Sequence, residues 1–145
     1  MISGKQRPKT YRMFWTLYAQ KDIDNGEGLS IKEANRIFSK FQTYPNYSLY
    51  IAITENKIVG TFELLIMDNL AHCGKPSGII EDVIVDSNYR SMGIGKKMME
   101  FAMGICKKQG CYKLALSSNS IRERAHIFYK NLGFEQHGFS FLVEL

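Results

Sequence analysis

Apolar positions recur along the chain with two different periods, and each change of period marks a change of element. Short runs that alternate or are densely apolar predict strands. These runs cover residues 9–19, 47–54, 57–67, 79–85, 112–117 and 134–145. The second and third runs flank a short turn at Glu55 and Asn56, which predicts a β-hairpin.

Three further segments carry apolar residues at helical spacing and have recognisable ends. Ser30 and Glu33 form a capping box at the start of the first, and Ser120 and Glu123 form another at the start of the third. The second covers residues 96–109 and is followed by a glycine. The resulting order, β-α-β-β-β-α-β-α-β, predicts an α/β (α+β) fold in which helices pack on a mixed sheet.

The composition is typical of one globular domain spanning residues 1–145. Of the 145 residues, 45% are apolar and 23% are charged. No stretch approaches the roughly 20 apolar residues of a membrane span. The basic N-terminus has no apolar signal core behind it. We therefore expect a cytoplasmic protein that does not associate with membranes.

The net charge of +5 suits an anionic partner, either nucleic acid or a phosphorylated small molecule. The basic residues are scattered, and aromatic residues do not interleave with them as a stacking platform requires, so we expect no nucleic-acid partner. Cys73, Cys106 and Cys111 form neither a disulfide framework nor a metal spacing. Cys106 falls on a helical apolar stripe and is expected in the core, and no metal site is predicted.

The loop between the fourth predicted strand and the second predicted helix carries the most specific chemistry. It reads Arg90-x-x-Gly93-x-Gly95. Glycines let successive backbone amides turn toward one point, and the start of the following helix adds a partial positive charge. Such a nest binds phosphate oxygens.

Two other phosphate-binding loops fail on spacing. A dinucleotide fingerprint needs a third glycine three residues after the Gly93-x-Gly95 pair, and none is present. A nucleoside-triphosphate P-loop needs a hydroxyl after Gly-Lys, whereas Lys97 follows Lys96. From the residues alone, an ordinary glycine turn before a helix remains open.

Residues 80–133 resemble the GNAT (GCN5-related N-acetyltransferase) family. Its signature, Arg/Gln-x-x-Gly-x-Gly/Ala between a strand and a long helix, is often followed by a helix with Ala-x-x-x-Tyr and a Gly-Phe stop. The residues that match are Arg90, Gly93, Gly95, Ala125, Tyr129, Gly133 and Phe134. The resemblance implies a twisted, mostly antiparallel sheet of roughly six to seven strands flanked by helices. It also implies acetyl-CoA as cosubstrate, and homodimers are common in the family.

The same resemblance implies the contacts to acetyl-CoA. The backbone of one strand should meet the pantetheine arm, the amides of the glycine loop should hold the pyrophosphate, and the start of the last helix should lie nearby. The expected cofactor-binding residues are Val83, Ile84, Val85, Arg90, Ser91, Met92, Gly93, Ile94, Gly95, Lys96, Asn119 and Arg122.

Tyr129 is the expected general acid, because a phenol stays protonated at neutral pH and is matched to a thiolate leaving group. The alternative is an aromatic residue on the inner face of its helix. Glu81 is the expected base, acting through water, because a carboxylate within an apolar strand indicates a site or an open cleft. Strand alternation places Asp82 on the opposite side, so only one of the pair should face the substrate. Participation of His72 or His126 stays open.

The expected reaction is direct transfer of an acetyl group to a small primary amine that is phosphorylated or otherwise anionic. Members of the family that the chain resembles take small anionic amines, and the positive net charge would attract them. Two alternatives remain: a protein or peptide amine as acceptor, and a non-catalytic acetyl-CoA-binding module. Tyr129 and Glu81 favour an enzyme, because a pure binding module needs only the glycine loop.

Overall fold

The computed structural model describes residues 2–3, 17–20, 23 and 26–145. Their helices and strands, in chain order, are β1 (Ile2–Ser3), α1 (Ile31–Phe41), β2 (Tyr47–Thr54), β3 (Lys57–Met67), β4 (Ser77–Val85), α2 (Ile94–Lys108), β5 (Lys113–Leu116) and α3 (Glu123–Asn131). Short 3₁₀ turns occupy His72–Gly74 and Ser87–Tyr89. The chain divides into two compact units, Met1–Ala115 and Leu116–Leu145. Among the described helices, none is long and apolar enough to cross a membrane.

The strands form one sheet in the order β1-β2-β3-β4-β5. The first four pair antiparallel, and the predicted hairpin of β2 and β3 is confirmed with the same bounds. β5 starts beside the start of β4, where the Tyr112 N–H donates to the Pro76 carbonyl at 3.0 Å, so these two strands run parallel. The mixed, mostly antiparallel sheet is therefore confirmed, although the described residues form five strands of the expected six to seven.

A β-bulge interrupts the pairing of β3 with β4. Thr61 pairs with Ile84, but Glu63 pairs with Glu81, so the one residue between them on β3 opposes two on β4. Asp82 is one of those two, and it has the left-handed backbone angle φ of 47°. Because one residue is extra, side chains before and after the bulge exchange faces of the sheet.

One face of the sheet packs on α2. Gly60 of β3 approaches Met98, and the ring of Phe101 lies edge-on to Tyr50 at 5.6 Å. The buried residues of this layer include Phe62, Leu64, Ile80, Met98, Met99, Ala102 and Cys106, which confirms the predicted core position of Cys106. Gly78 is required where β4 meets α2, because an added Cβ would collide with the Cys106 Sγ.

The opposite face holds a second core cluster around α1. Its buried members are Leu17, Ala34, Ile51, Ile58 and Ile84. Ile80 lies in the α2 layer and Ile84 in the α1 layer, although an even number of residues separates them. The bulge accounts for this exchange of faces, because an unbroken strand would place both side chains on one face.

The first and the last predicted strands are not found among the residues that the structure describes. Residues 9–16 lie outside the described residues, and residues 17–20 form a turn rather than the end of a strand. Residues 134–145, predicted as a strand, form no helix or strand, and the prediction was wrong. The apolar side chains of this segment are exposed, namely Phe139, Phe141, Leu142, Val143 and Leu145. Alternating apolar residues can form one face of a strand, but a strand also needs a neighbouring strand to bond its backbone. The helix α3 of the same unit cannot supply those backbone hydrogen bonds.

The second predicted capping box is also wrong. Helix α3 begins at Glu123 after Arg122, and no side chain caps it. The turn before it is instead closed by Asn119, whose side-chain oxygen accepts from the Ile121 N–H at 3.1 Å. Asn competes well for such local backbone bonds, and Ser120 is left outside the helix. The predicted helix end is confirmed, with Gly133 at φ 88°.

The first capping box is confirmed and supplies a stability prediction. The Ser30 hydroxyl accepts from the Glu33 N–H at 3.2 Å, and the Glu33 carboxylate accepts from the Ser30 N–H at 3.2 Å. Ser30→Ala should lower the free energy of unfolding by about 1 kcal/mol in urea denaturation, because one helix-end amide loses its acceptor. Ser39→Ala is the control, since Ser39 lies inside α1 and its hydroxyl donates back to the Asn35 carbonyl within the same helix. An equal loss in both variants would contradict a capping role.

Candidate active site

The glycine loop has the geometry of an anion nest. Gly93 precedes α2 with φ 78° and ψ 3°, and Ser91 two residues earlier also has a positive φ of 63°. A Cβ built on Gly93 would meet no atom within 4 Å, so the space beside this backbone is open. The first amides of α2 have no partner within the helix and carry its partial positive charge. The loop therefore has the geometry of a phosphate-binding nest, and its role in holding a pyrophosphate stays a prediction.

Arg90 ties this loop to the end of β4. Its Nε donates to the Val85 carbonyl at 3.2 Å and its guanidinium donates to the Gln20 side chain at 2.7 Å. Lys96, on the first turn of α2, lies 3.8 Å from the Glu100 carboxylate on the exposed face of the helix. Of the two expected cationic contacts, Arg90 thus also orients the loop, while Lys96 is a solvent-facing charge.

Within residues 83–85, Ile84 can offer a ligand only its backbone. The Ile84 side chain is in the α1 core, so only its main chain is accessible to a ligand. β5 starts beside Pro76 and has four residues, so its parallel pairing is confined to the first half of β4. The β5-side edge of residues 83–85 lies beyond that pairing, where a pantetheine arm could bond to it.

Next to the bulge lies a group of carboxylates that we call the acidic cluster: Glu63, Glu81 and Asp82. Glu63 is only 6% exposed, whereas Glu81 and Asp82 are exposed. The Tyr18 hydroxyl donates to Glu63 Oε1 at 3.2 Å, and the Tyr47 hydroxyl donates to Glu63 Oε2. Glu63 and Glu81 are paired across β3 and β4, so their side chains share a face of the sheet.

The groups of this cluster influence one another electrostatically. Burial raises the pKa of Glu63, and Asp82 and Glu81 raise it further, while hydrogen bonds from Tyr47 and Tyr18 oppose the shift. Burial and then Asp82 raise the pKa of Glu81. The pKa of each tyrosine is raised, first by burial and then mainly by Glu63. Each of these shifts favours the protonated form, so Glu63 and Glu81 hold protons more tightly than free glutamate side chains do.

The bulge changes the expected relation of Glu81 and Asp82. Strict alternation would place Glu81 with Val83 and Val85 and would send Asp82 away from it. Glu81 instead shares a face with Glu63, and Asp82 raises the pKa of Glu63 and of Glu81. The bulge breaks the period of two on which the expectation about this pair was based. Which of Glu81 and Asp82 faces the substrate stays a prediction.

In the second unit, Tyr129 lies on α3 within an aromatic group. Its ring packs at 5.1 Å from that of Phe128 and at 5.7 Å from that of Phe134, edge-on in each case. Burial raises the pKa of Tyr129, and the Arg122 guanidinium partly offsets the shift. The phenol is therefore protonated at neutral pH, as a general acid must be.

The remaining predicted residues have local partners. In the second unit, the Asn119 carbonyl lies 3.0 Å from the His126 ring Nε2 and also accepts from the Arg122 N–H at 3.0 Å. In the first unit, His72 stacks on Tyr112 with ring centroids 4.0 Å apart. Among the described residues, no group of three or more His, Cys, Asp or Glu could hold a metal ion.

Sequence reasoning did not single out Glu63, Tyr47 or Tyr18. The signal for Glu63 was the one used for Glu81, a carboxylate inside an apolar strand, here between Phe62 and Leu64. The tyrosines gave no such signal, because aromatic residues are ordinary in strands and turns.

Solved structures and relatives agree with this fold. A putative acetyltransferase from Agrobacterium tumefaciens superposes with a TM-score of 0.91 at 26% identity, covering 100% of this chain and 99% of that one. Glucosamine 6-phosphate N-acetyltransferase of Arabidopsis thaliana is 38% identical over 106 residues, 70% of this chain and 68% of that protein. Aminoalkylphosphonate N-acetyltransferase of Salmonella typhimurium is 29% identical over 101 residues, 70% of this chain and 65% of that protein.

The fold is thus that of an acetyltransferase. The sequence profile of the acetyltransferase (GNAT) family matches residues 10–134, and the chain belongs to that family. It is an N-acetyltransferase, and the family uses acetyl-CoA as the acetyl donor. Homodimer formation and a cytoplasmic location stay predictions.

The open space at Gly93 supplies a test of the loop. Gly93→Ala should weaken acetyl-CoA binding by at least tenfold, because the new Cβ enters the nest and a non-glycine residue is strained at φ 78°. Isothermal titration calorimetry would measure the dissociation constant. Gly104→Ala is the matched control, since its Cβ also meets nothing but it lies within α2, where Ala is favoured. Normal binding by a folded Gly93→Ala variant would exclude the loop as the donor site.

The raised pKa of Glu63 predicts a pH-dependent stability. Above the ordinary glutamate value of 4.5 the unfolded chain has released this proton while the folded chain retains it, so stability falls as pH rises toward the folded-state pKa. Glu63→Gln removes this titration and should gain stability relative to wild type as pH increases through that window. Urea unfolding at several pH values would measure it, with Glu55→Gln in the hairpin turn as control. If the free energy of unfolding changed with pH in the same way in wild type and in Glu63→Gln, the raised pKa of Glu63 would be refuted.

Proposed function

We propose that this enzyme transfers the acetyl group of acetyl-CoA to the primary amine of a small metabolite that carries a phosphate or another anionic group. The observation that carries the proposal is the loop at Gly93, where a left-handed glycine leaves open space in front of the first amides of α2. Membership of the GNAT family gives the class of reaction, acetyl transfer, and our proposal concerns the acceptor.

The donor would be held mainly by backbone. The amides from Ser91 to Lys96 would receive the pyrophosphate, and Arg90 would keep the loop against the end of β4. The main chain of residues 83–85 would bond to the pantetheine arm, and Asn119 and Arg122 would contribute from the start of α3. Bound in this way, the donor supplies an activated acetyl thioester. Holding the amine and the thioester in line accounts for much of the rate enhancement of such a reaction.

Glu81 would deprotonate the acceptor. An amine attacks a carbonyl only in its neutral form, and most amines are protonated at neutral pH. Glu81 is exposed beside the bulge, but partial desolvation by its surroundings and then the Asp82 charge raise its pKa, which makes it a stronger base than an ordinary glutamate. It would take the ammonium proton directly or through one water, and the amine would attack without a covalent enzyme intermediate.

Tyr129 would protonate the departing thiolate. Burial keeps its phenol protonated, and the nearby Arg122 guanidinium would stabilise the phenolate that forms when the proton leaves. The proton moves from the Tyr129 oxygen to the sulfur, and the phenolate is reprotonated from solvent. This assignment rests on the motif match and on the environment of the ring within α3.

The anionic character of the acceptor is supported by charge and by relatives. The chain carries a net charge of +5, which raises the local concentration of anions. Two similar proteins are named for acceptors that join an amine to a phosphorus-containing anion, glucosamine 6-phosphate and an aminoalkylphosphonate. The carboxylates of the acidic cluster would meet only the ammonium end of such a molecule.

A thiol-release assay with a panel of amines tests the acceptor class. The panel pairs glucosamine 6-phosphate with glucosamine, an aminoalkylphosphonate with the matching alkylamine, and adds peptides with a free N-terminus or a lysine. We expect the anionic member of each pair to have the higher kcat/KM. A higher kcat/KM for a peptide than for any small amine would indicate that the acceptor is a protein. Acetyl-CoA binding without turnover on any amine would indicate a binding module.

Tyr129→Phe tests the acid. The variant should lower kcat by a factor on the order of 10², because the thiolate loses its proton donor, while the Kd for acetyl-CoA changes little. Steady-state kinetics and calorimetry on the same preparation would measure the two quantities. Unchanged kcat would remove Tyr129 from the mechanism, and a parallel loss of affinity would make it a binding residue.

A further inference from the structure

Glu63 is a buried carboxylate to which the proposed reaction assigns no role. It lies on β3 between two core residues, Phe62 and Leu64, and points to the opposite face of the sheet from them. In the part of the chain that the structure describes, no lysine or arginine is paired with it. Among the described residues, its two oxygens accept from the hydroxyls of Tyr18 and Tyr47. A buried acid whose described neighbours include no cation binds a proton readily, which suits proton transfer better than structural support.

Tyr47 connects this buried acid to the surface. Its side chain is half-buried, and its hydroxyl meets Glu63 on the face of the sheet where Glu81 lies directly opposite Glu63 across β3 and β4. The charges of Asp82 and Glu81 also contribute to raising the pKa of this hydroxyl. Its ring stacks on Phe41 with centroids 4.6 Å apart, which holds the hydroxyl in position. A tyrosine hydroxyl is both donor and acceptor, so it can receive a proton on one side while giving one to Glu63 on the other.

We propose that Glu63 stores the proton that the acceptor amine loses, and that the Tyr47 hydroxyl passes the proton from Glu81 to Glu63. The proposal rests on the proposed function and extends its base from one residue to three. An N–H bond of the ammonium breaks as an O–H bond forms on Glu81. That proton moves to the Tyr47 oxygen while the Tyr47 proton moves to Glu63 Oε2. After the product leaves, the proton returns to solvent by the same route.

The relay keeps the exposed base ready for the chemical step. A proton left on Glu81 could return to the amine before it attacks, whereas Glu63 is only 6% exposed, so a proton bound there is away from the surface. Among the described residues, the titratable groups that act on Glu63 are Tyr18, Tyr47, Glu81 and Asp82. The two carboxylates and burial raise the proton affinity of Glu63, so Glu63 is the member of the cluster suited to hold the proton.

Kinetics of Glu63→Gln, Tyr47→Phe and the double variant test the relay. Each single variant should lower kcat by about tenfold to a hundredfold, at the lower end of general acid–base effects, with the Kd for acetyl-CoA unchanged. The double variant should be no slower than the slower single variant, because both changes break one path. The acid limb of the kcat/KM profile should move to lower pH in Glu63→Gln. A structural role would instead lower the rate equally at all pH values.

Tyr44→Phe is the matched control for Tyr47→Phe. Tyr44 stacks beside Tyr47 at 6.2 Å, is exposed, and loses the same atom in the substitution, yet it makes no bond to Glu63. Its kcat should equal that of wild type. Wild-type kcat in Glu63→Gln, or losses that simply multiply in the double variant, would overturn the relay.

Infrared spectroscopy separates this proposal from the proposed function. The carbonyl stretch of a protonated, buried carboxyl should titrate in wild type, disappear in Glu63→Gln and shift in frequency in Tyr47→Phe, whether or not an acceptor is known. If wild type acetylates no amine but the band behaves in this way, the acceptor assignment fails while Glu63 remains the proton store. If acetyl transfer is robust but no such band is found, the relay fails and the proposed function stands.

Discussion

The pairing of β3 with β4 imposes the constraint on which the described arrangement depends. Asp82 adds one residue that β3 cannot match, so the two strands change register at Phe62. The change lets Ile80 enter the layer under α2 and Ile84 enter the layer around α1. It also brings Glu81 and Asp82 beside Glu63. Without the bulge, Ile80 and Ile84 would lie on the same face of the sheet, so only one of them could reach its present layer.

The proposed site has two parts, one formed by main-chain groups and the other by side chains. The donor half is main chain: a left-handed Gly93, the first amides of α2 and the edge of residues 83–85. The acid-base half within the first unit consists of side chains: Glu63 and Glu81 on one face of the sheet, Asp82 in the bulge, and the hydroxyls of Tyr18 and Tyr47. Backbone recognition tolerates many side chains, whereas proton transfer depends on each group and its burial.

The sequence predicted those features that local residues determine. The hairpin of β2 and β3, the capping box at Ser30 and the glycine ends of α2 and α3 depend on neighbours in the chain, and the structure confirms them. Residues 134–145 alternate like a strand, but a strand also needs a partner that no local pattern specifies. The bulge at Asp82 was invisible for a similar reason, because it exists only relative to β3.

The candidate site divides in the same way. A short motif identified the glycine loop, since its amides are consecutive in sequence. The contacts of Glu63 with Tyr18 and Tyr47 join residues separated by 45 and 16 positions, and they arise only when the sheet is assembled. Glu81 was found by its unusual place in an apolar strand, and Glu63 has an equally unusual place. The second carboxylate could therefore have been suspected, but its partners could not.

The three free cysteines differ sharply in environment, and this difference makes the protein easy to label. Cys73 is exposed in the turn at His72–Gly74, whereas Cys106 is buried under the sheet. Burial and the neighbouring Cys111 thiol raise the pKa of Cys106 to about 12, so little of it is thiolate near neutral pH. A maleimide dye should therefore attach first at Cys73. The natural sequence thus provides a fluorescent handle on the first unit without any engineered residue.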